Sequence, residues 1–561
     1  MNRFAHLLDA LAYEPSRNNK LRLLADYFRN TPDPERGFAL AAMTGALSFK
    51  HAKPALIRAL IAERTDPVLF AMSYDYVGDL SETVALLWPA PQTERRNVAP
   101  PSLADVVHAL DQTGKAQLPQ LLASWLDDLD ETGRWALLKL ITGGLRIGVS
   151  ARLAKTAVAA LGDFAPNEIE ELWHGLVPPY LDLFAWVEGH QERPKANDPL
   201  PFRTPMLAHA LDEADFDKLD PADFCAEWKW DGIRVQAVAG TDEDGRRVAR
   251  LYSRNGEDIS KSFPDLMEML CEPHFGDVSL DGELLVVIEG AVQSFGTLQQ
   301  RLNRKNVTQK LAAQYPAHIR AYDLLAENGE DLRELPFVDR RARLESFVER
   351  LGQSRLDLSP QIAFGDWPAL AQARRDPASA GATAAAEAIE GVMLKRRDCA
   401  YVPGRPKGLW FKWKRDPFNV DAVLMYAQRG HGRRSSFYSD FTFGVWKGTE
   451  LVPVGKAYFG FTDAELKELD RYIRNHTRNR FGPVRELDFS AEQGLVLEIA
   501  FEGLQRSTRH KSGLAMRFPR IARIRWDKPA AQADQIEVLE TWLDAGLRQR
   551  ASSATYGQKT L

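Results

Sequence analysis

At Glu227 the chain reads E-W-K-W-D-G-I-R, ending at Arg234. A lysine amine attacks an electrophile only when neutral, and its ordinary pKa is about 10.4. Burial and neighbouring cations lower that value and make the amine a usable nucleophile. Trp228 and Trp230 flank Lys229, and Asp231 and Arg234 follow closely. The expectation is an amine shielded from water by the two indoles and activated by a positive field. The plainer reading of K-x-D-G-x-R is a strand end and a turn.

More charged clusters follow beside apolar runs: S-R-N-G (Ser253–Gly256), D-G-E-L from Asp281, A-Y-D-L-L from Ala321 and E-G-V-M-L-K (Glu390–Lys395). W-F-K-W-K (Trp410–Lys414) and R-F-P-R (Arg517–Arg520) complete the set. Each has a structural explanation of its own. D-G-E is a common turn. E-G-x-x-x-K suits a strand with a cross-strand ion pair. K-x-K puts both amines on one strand face, often a solvated edge.

The elements that must carry these residues differ along the chain. The first ~190 residues have a helical pattern. Leu118, Leu121, Leu122, Trp125, Leu126 and Leu129 form one apolar stripe. T-G-G-L-R-I-G-V-S (Thr142–Ser150) stops one helix, and Ser150 is placed to cap the next, A-R-L-A-K. Arg146 in that turn either caps carbonyls or meets a phosphate, which glycine-exposed amides at Gly143 and Gly144 would also suit. E-R-P-K-A-N-D-P-L-P (Glu192–Pro201) reads as an extended linker. Beyond it, β-rich runs at Val235, Leu284 and Ile319 alternate with charge-rich helical segments such as R-R-A-R-L-E-S-F-V-E-R-L, an α+β texture. The tract A-S-A-G-A-T-A-A-A-E-A before Ile389 reads as a helix with a loose entry. After Asp416-Pro417 come short strands with glycine turns, as a small β-barrel needs. These breaks give domains at 1–195, 200–416 and 417–545, with 546–561 as a flexible tail.

Size agrees: 561 residues imply about three to four domains. The formal charge of -5, from 72 basic and 77 acidic residues, excludes an overall basic coat but not a basic face. Cys225, Cys271 and Cys399 are scattered, which argues against a zinc ribbon or a disulfide framework. The N-terminus lacks a signal-peptide pattern and no run approaches the ~18 apolar residues of a membrane span, so a cytoplasmic protein is expected.

Taken together and in this order, the clusters resemble the six motifs of the nucleotidyltransferase superfamily: ATP-dependent DNA ligases, RNA ligases and capping enzymes. With the helical region and its T-G-G-L-R-I-G-V-S turn, the chain resembles ATP-dependent DNA ligases that carry a DNA-encircling domain ahead of the core. The resemblance implies a multidomain protein: an all-α N-terminal domain, an α+β, ATP-grasp-like nucleotidyltransferase core, and a C-terminal OB-fold barrel. It implies nick sealing in duplex DNA by a monomer that uses ATP and Mg²⁺ or Mn²⁺. Lys229 would carry the adenylate. Glu227 would touch the adenine amino group and Tyr322 would stack on the base, unless it is a core tyrosine. Arg234 and Arg254 would meet ribose and phosphate, and Glu283 ribose or metal. Glu390 would hold metal, and Lys412 and Lys414 the α-phosphate. Arg517 would orient pyrophosphate, and one of Arg405 and Lys407 would add a phosphate contact. The basic tail, S-T-R-H-K-S-G and then Arg520, Arg523 and Arg525, is either a solvated face or a grip on duplex phosphates. RNA ligase, capping guanylyltransferase and a non-catalytic DNA-binding protein are the alternatives. An NAD-dependent ligase would need four zinc cysteines.

Overall fold

A computed structural model describes residues 1–89, 100–194, 198–302, 304, 307–429, 437–482, 484–507 and 511–544. The middle of the expected linker (195–197), part of the S-T-R-H-K-S-G run (508–510) and the expected tail (546–561) lie outside the described residues. The chain divides into two compact units. One comprises Met1–Ile169, Leu176–Pro194 and Pro417–Asp544, and the other Glu170–Gly175 and residues 195–416.

The N-terminal part of the first unit contains helices and, among the described residues, no strand. Helix Leu118–Asp128 forms where the leucine stripe falls, and Leu118, Leu122, Trp125 and Leu126 are buried. Helix Glu131–Thr142 ends at Gly143, whose φ of 72° supplies the left-handed C-cap. Ser150 caps the next helix, Ala151–Ala159, accepting from the Leu153 amide at 3.2 Å. Between them the loop is held from inside, because Lys20 Nζ donates to the Ile147 carbonyl at 2.6 Å. A Cβ on Gly148 would sit 2.4 Å from that amine.

The second unit holds two sheets. The five-stranded sheet runs His209–Ala210, Trp410–Lys414, Ile389–Arg396, Phe224–Trp230, Gln361–Ile362. The larger sheet is built on Arg247–Ser253, Ile233–Thr241, Val278–Ile288 and Ala317–Glu327, in that order. Helix Phe337–Leu351 buries Phe337, Leu344 and Phe347. The chain crosses from one sheet to the other at Asp231–Gly232, so the expected turn is a bridge between sheets. Only glycine fits there, since a Cβ at 232 would lie 2.5 Å from the Leu284 carbonyl oxygen. The alanine-rich tract is not an α-helix: a π-turn over Ala378–Ala382 breaks at Gly381 (φ 89°) and runs into a 3₁₀ turn over Thr383–Ala388. Alanine propensity loses there to the glycine.

The C-terminal strands form a seven-stranded sheet and a separate two-stranded one, Gly503–Arg506 with Leu514–Arg517. The path of the larger is Glu450–Ala457, Tyr438–Lys447, Phe418–Arg429, Val484–Leu487, Thr477–Phe481, with Val496–Phe501 joining Phe418–Arg429 to Arg520–Arg525. The Ile521 amide donates to the Phe459 carbonyl at 3.1 Å, bringing the last strand to the end of Glu450–Ala457. Helix Asp463–His476 was not anticipated, although its capping box, Thr462 with Glu465, stands in the sequence.

Candidate active site

Alternation along a strand sends neighbouring side chains to opposite faces. Lys229 and Glu227 share one face of the five-stranded sheet. Lys229 pairs with Gly391, which pairs with Lys414; Glu227 pairs with Met393, which pairs with Lys412. Four of the expected residues therefore meet on one surface. Trp228 and Trp230 point the other way and are buried, each 4% exposed. They do not shield the amine. They line a cavity of about 640 Å³ behind the strand, with Arg320, Ile362 and Gln372.

Lys229 Nζ lies 2.5 Å from Glu390 Oε2, and Lys414 Nζ lies 3.8 Å from the same oxygen. A register shift between Ile389 and Gly391 places Glu390 there. Burial pulls the pKa of Lys229 down, but the carboxylates of Glu390, Glu283 and Asp231 outweigh it and the net direction is upward. The expected depression by cations is thus reversed: in the free protein the amine is held as an ammonium. Glu283, opposite Arg234 across the larger sheet, is pushed up to about 8 by burial, with Lys229 and Arg234 opposing and Glu390 and Asp281 adding to the rise.

A positive pocket adjoins this pair. Burial, then the charges of Arg405, Lys414, Lys229 and Arg254, lower the pKa of Lys412. Arg254 is lowered by burial and by Arg234 and Arg405. Neither the Lys412 nor the Arg254 side chain forms a hydrogen bond or ion pair with a described residue. Of the two residues left open in G-R-P-K-G, Arg405 is the one whose charge reaches Lys412 and Arg254. Unneutralised cations gathered beside a nucleophile are a receptor for a polyanion.

Other expected residues are held by the protein itself. Arg234 donates to Asp281 through Nε at 3.0 Å and Nη2 at 2.6 Å, to the Met206 carbonyl at 2.6 Å and to the Tyr401 hydroxyl at 3.0 Å. Glu227 is 2% exposed and pairs with Lys395 at 3.1 Å and Arg341 at 3.4 Å. Lys395 also sits 4.3 Å from the centre of the Tyr322 ring. Asp281, Tyr401, Lys395 and Arg341 were not singled out from sequence. Asp281 and Lys395 stand inside quoted motifs, whereas Tyr401 lies 167 residues from its arginine.

Arg517 lies on strand Leu514–Arg517 of the other unit, its guanidinium 5.2 Å from the ring of Phe518. On the next strand along the chain, Arg520–Arg525, Arg520 approaches Glu502 at 3.8 Å, Arg525 pairs with Asp527 at 2.8 Å and Asp421 at 3.4 Å, and Arg523 is exposed. In the helical part Arg146 is 70% exposed, with φ of 50° and a 3.9 Å approach to Asp79. Asp79 is already paired with the buried Lys139 at 2.6 Å.

Two sheets are bridged at a lysine-bearing strand, with acids against the amine and cations beside it, an arrangement suited to handling a nucleotide's phosphates. The family model for the ATP dependent DNA ligase domain matches residues 205–414, and that for the ATP dependent DNA ligase C terminal region matches 434–528. A probable DNA ligase of Koribacter versatilis is 30% identical over 585 residues, covering 98% of each chain. DNA ligase 1 of Korarchaeum cryptofilum is 28% identical, covering 96% of this chain and 97% of that one. The solved structure Pmar-Lig_Pre shares the fold with a TM-score of 0.56 at 16% identity, over 94% of this chain and 99% of that one. The chain belongs to the ATP-dependent DNA ligase family, and it is an enzyme of that class. No helix among the described residues is long and apolar enough to cross a membrane.

Proposed function

We propose that this ligase seals nicks in duplex DNA by three displacements at phosphorus. Lys229 Nζ attacks the α-phosphorus of ATP, a P–N bond forms and pyrophosphate leaves. A 5′-phosphate oxygen at the nick then attacks the lysyl-AMP, the P–N bond breaks, and the nitrogen is left as the amine. The 3′-hydroxyl attacks the adenylylated 5′-phosphate and AMP departs. The observation that carries this reading is the amine of Lys229, held 2.5 Å from Glu390 on the same sheet face as Lys412 and Lys414.

Each residue then has a task. Lys229 becomes nucleophilic when Glu390 turns from it, and the positive charges of Lys412 and Lys414 disfavour its reprotonation. Those lysines hold the α-phosphate and stabilise charge as it builds. Arg254 and Arg405 meet the outer phosphates, and Arg234, locked to Asp281, faces the ribose. Glu227 accepts from the adenine amino group and Tyr322 stacks on the base. Arg517 orients pyrophosphate in the first step. Glu283 and Glu390 are a suitable pair for Mg²⁺, which takes one or two carboxylates and completes its shell with water and phosphate. A bound divalent ion would neutralise charge on the phosphates.

Three bodies follow from this reading: a helical DNA-binding domain, the adenylation domain and a C-terminal OB-fold barrel, acting as a cytoplasmic monomer. The Ile521–Phe459 contact supports closure of the barrel. Gly143, Gly144 and Arg146 on one side, and Arg520, Arg523 and Arg525 on the other, would take duplex phosphates. Arg525 must exchange its aspartates to do so.

The reading is tested with nicked DNA and nicked RNA as competing substrates in the presence of ATP and Mg²⁺. Sealing confined to RNA sinks it. Lys414→Ala is expected to lower the sealing rate by about 10²–10³ while ATP affinity changes only a few-fold. Unchanged single-turnover sealing would remove the role given to Lys414. Arg146→Ala is expected to weaken nick affinity and reduce its salt slope by about 0.9, with self-adenylylation intact.

The raised Glu283 carboxyl yields a pH prediction. Its folded pKa, about 8, exceeds its ordinary 4.5, so the metal-free protein keeps this proton through neutrality. The associated stability is complete below the ordinary value and fades as pH rises through about 8. Metal binding needs the carboxylate, so at neutral pH Mg²⁺ should displace about one proton, and its affinity should climb with pH until Glu283 has titrated. Calorimetry in buffers of different protonation enthalpy reads the proton directly. Release unchanged in Glu283→Gln would assign it to another group.

A further inference from the structure

The seven-stranded C-terminal sheet ends in a hairpin whose outer strand, Thr477–Phe481, pairs among the described residues only with Val484–Leu487. Residues 478–481 are exposed on both faces, and Phe481 is 58% exposed. Arg478 and Arg480 lie on this strand, and neither guanidinium forms a hydrogen bond or ion pair with a described residue. A register shift between Thr477 and Asn479 leaves Arg478 outside the ladder, while Arg480 pairs with Arg485, so the two arginines stand close together along one edge.

Arg478 also lines a cavity of about 760 Å³ with Tyr426, Trp446, Phe489 and Lys511. Trp446 is fixed, its Nε1 donating to the Ala530 carbonyl at 2.7 Å. The rings of Tyr426 and Phe489 stand 6.1 Å apart at 59°, and the Tyr426 hydroxyl has no hydrogen-bond partner among the described residues. Lys511 at the mouth is paired with Glu450, both exposed.

Arginines alone on an edge strand would be a defence against sheet extension. That explanation leaves the exposed phenylalanine and the adjoining aromatic cavity without a purpose. Duplex DNA offers phosphates to the arginines but no base face to the cavity, because its bases are stacked. An unpaired strand offers both, and an aromatic pocket beside a basic track is how unpaired strands are held.

We propose that this surface is a subsite for single-stranded DNA. One unpaired base stacks against Tyr426 and Phe489 while the adjoining phosphates lie on Arg478 and Arg480. The inference rests on DNA as the substrate and extends it to the unpaired stretches of damaged or incompletely processed ends.

The test uses the full chain and a fluorescent oligothymidylate, followed by anisotropy over a salt series. Arg478→Glu with Arg480→Glu should weaken binding at least tenfold and lower the salt slope by about 1.4, at roughly 0.7 per phosphate. Phe489→Leu, which keeps apolar volume, should weaken it about tenfold. A 5-iododeoxyuridine oligonucleotide should cross-link to Tyr426 or Phe489. Sealing of an intact nick and label uptake on Lys229 should be unchanged in the double variant. Equal binding by wild type and double variant, or a cross-link elsewhere, overturns the proposal. So does a parallel loss of intact-nick sealing, which would make the surface a duplex contact. Failure of wild-type label uptake would strike the ligase reading instead.

Discussion

Lys229→Ala is expected to take up no label from ATP labelled on the α-phosphate, and to lower overall sealing of a nick by at least about 10⁴. Of the amines on this sheet face, Lys229 is the one in contact with Glu390, at 2.5 Å, and Glu390 and Glu283 remain to bind metal without it. The same variant should still seal a nick already carrying AMP on its 5′-phosphate, because the last displacement does not use the amine as nucleophile. Mass spectrometry of the wild type should find an AMP-sized adduct on Lys229. An adduct on another residue, or ordinary sealing by the variant, would end the covalent mechanism at this position. Loss of the pre-adenylylated reaction too would show that Lys229 also serves the final step.

The second large effect is expected at a residue that touches no substrate. Gly391 lies between the Lys229 and Lys414 strands with φ of 153°. A Cβ there would meet the Trp413 carbonyl oxygen at 2.2 Å and Lys414 Cα at 2.7 Å. These are backbone atoms of the Lys414 strand, which cannot yield as a side chain would. Gly391→Ala should cost about 2–4 kcal/mol of stability. It should also displace Glu390 and Lys414 enough to slow adenylylation on the order of 100-fold. Thermal melting and single-turnover label uptake measure the two effects. Normal uptake in a folded variant would show that the spacing of these strands is not what sets the geometry.

Much of this arrangement was legible because strand periodicity is local. The quoted runs at Val235, Leu284 and Ile319 are strands, and K-x-K at Lys412 and Lys414 does present both amines on one face. The same periodicity places Trp228 and Trp230 behind the sheet; reading them as a shield treats neighbours in sequence as neighbours in space. The direction of the Lys229 shift was not legible, since it depends on Glu390, 161 residues away, coming within 2.5 Å of the amine. Arg234 looked available because Asp281 and Tyr401 reach it only through the fold. Gly381 outweighed its alanines, and helix Asp463–His476 was missed because its buried Leu466, Leu469 and Ile473 lie among charges.

The indoles behind the Lys229 strand have one practical consequence. Trp230 carries the Arg320 guanidinium 4.3 Å from its ring centre and stands one residue from Lys229. Indole emission follows the local electric field, and every change of charge at Lys229 alters that field through the thickness of a single sheet. Adenylylation is therefore expected to shift indole emission, and a shift that survives in Trp230→Phe would assign it to another of the 13 tryptophans.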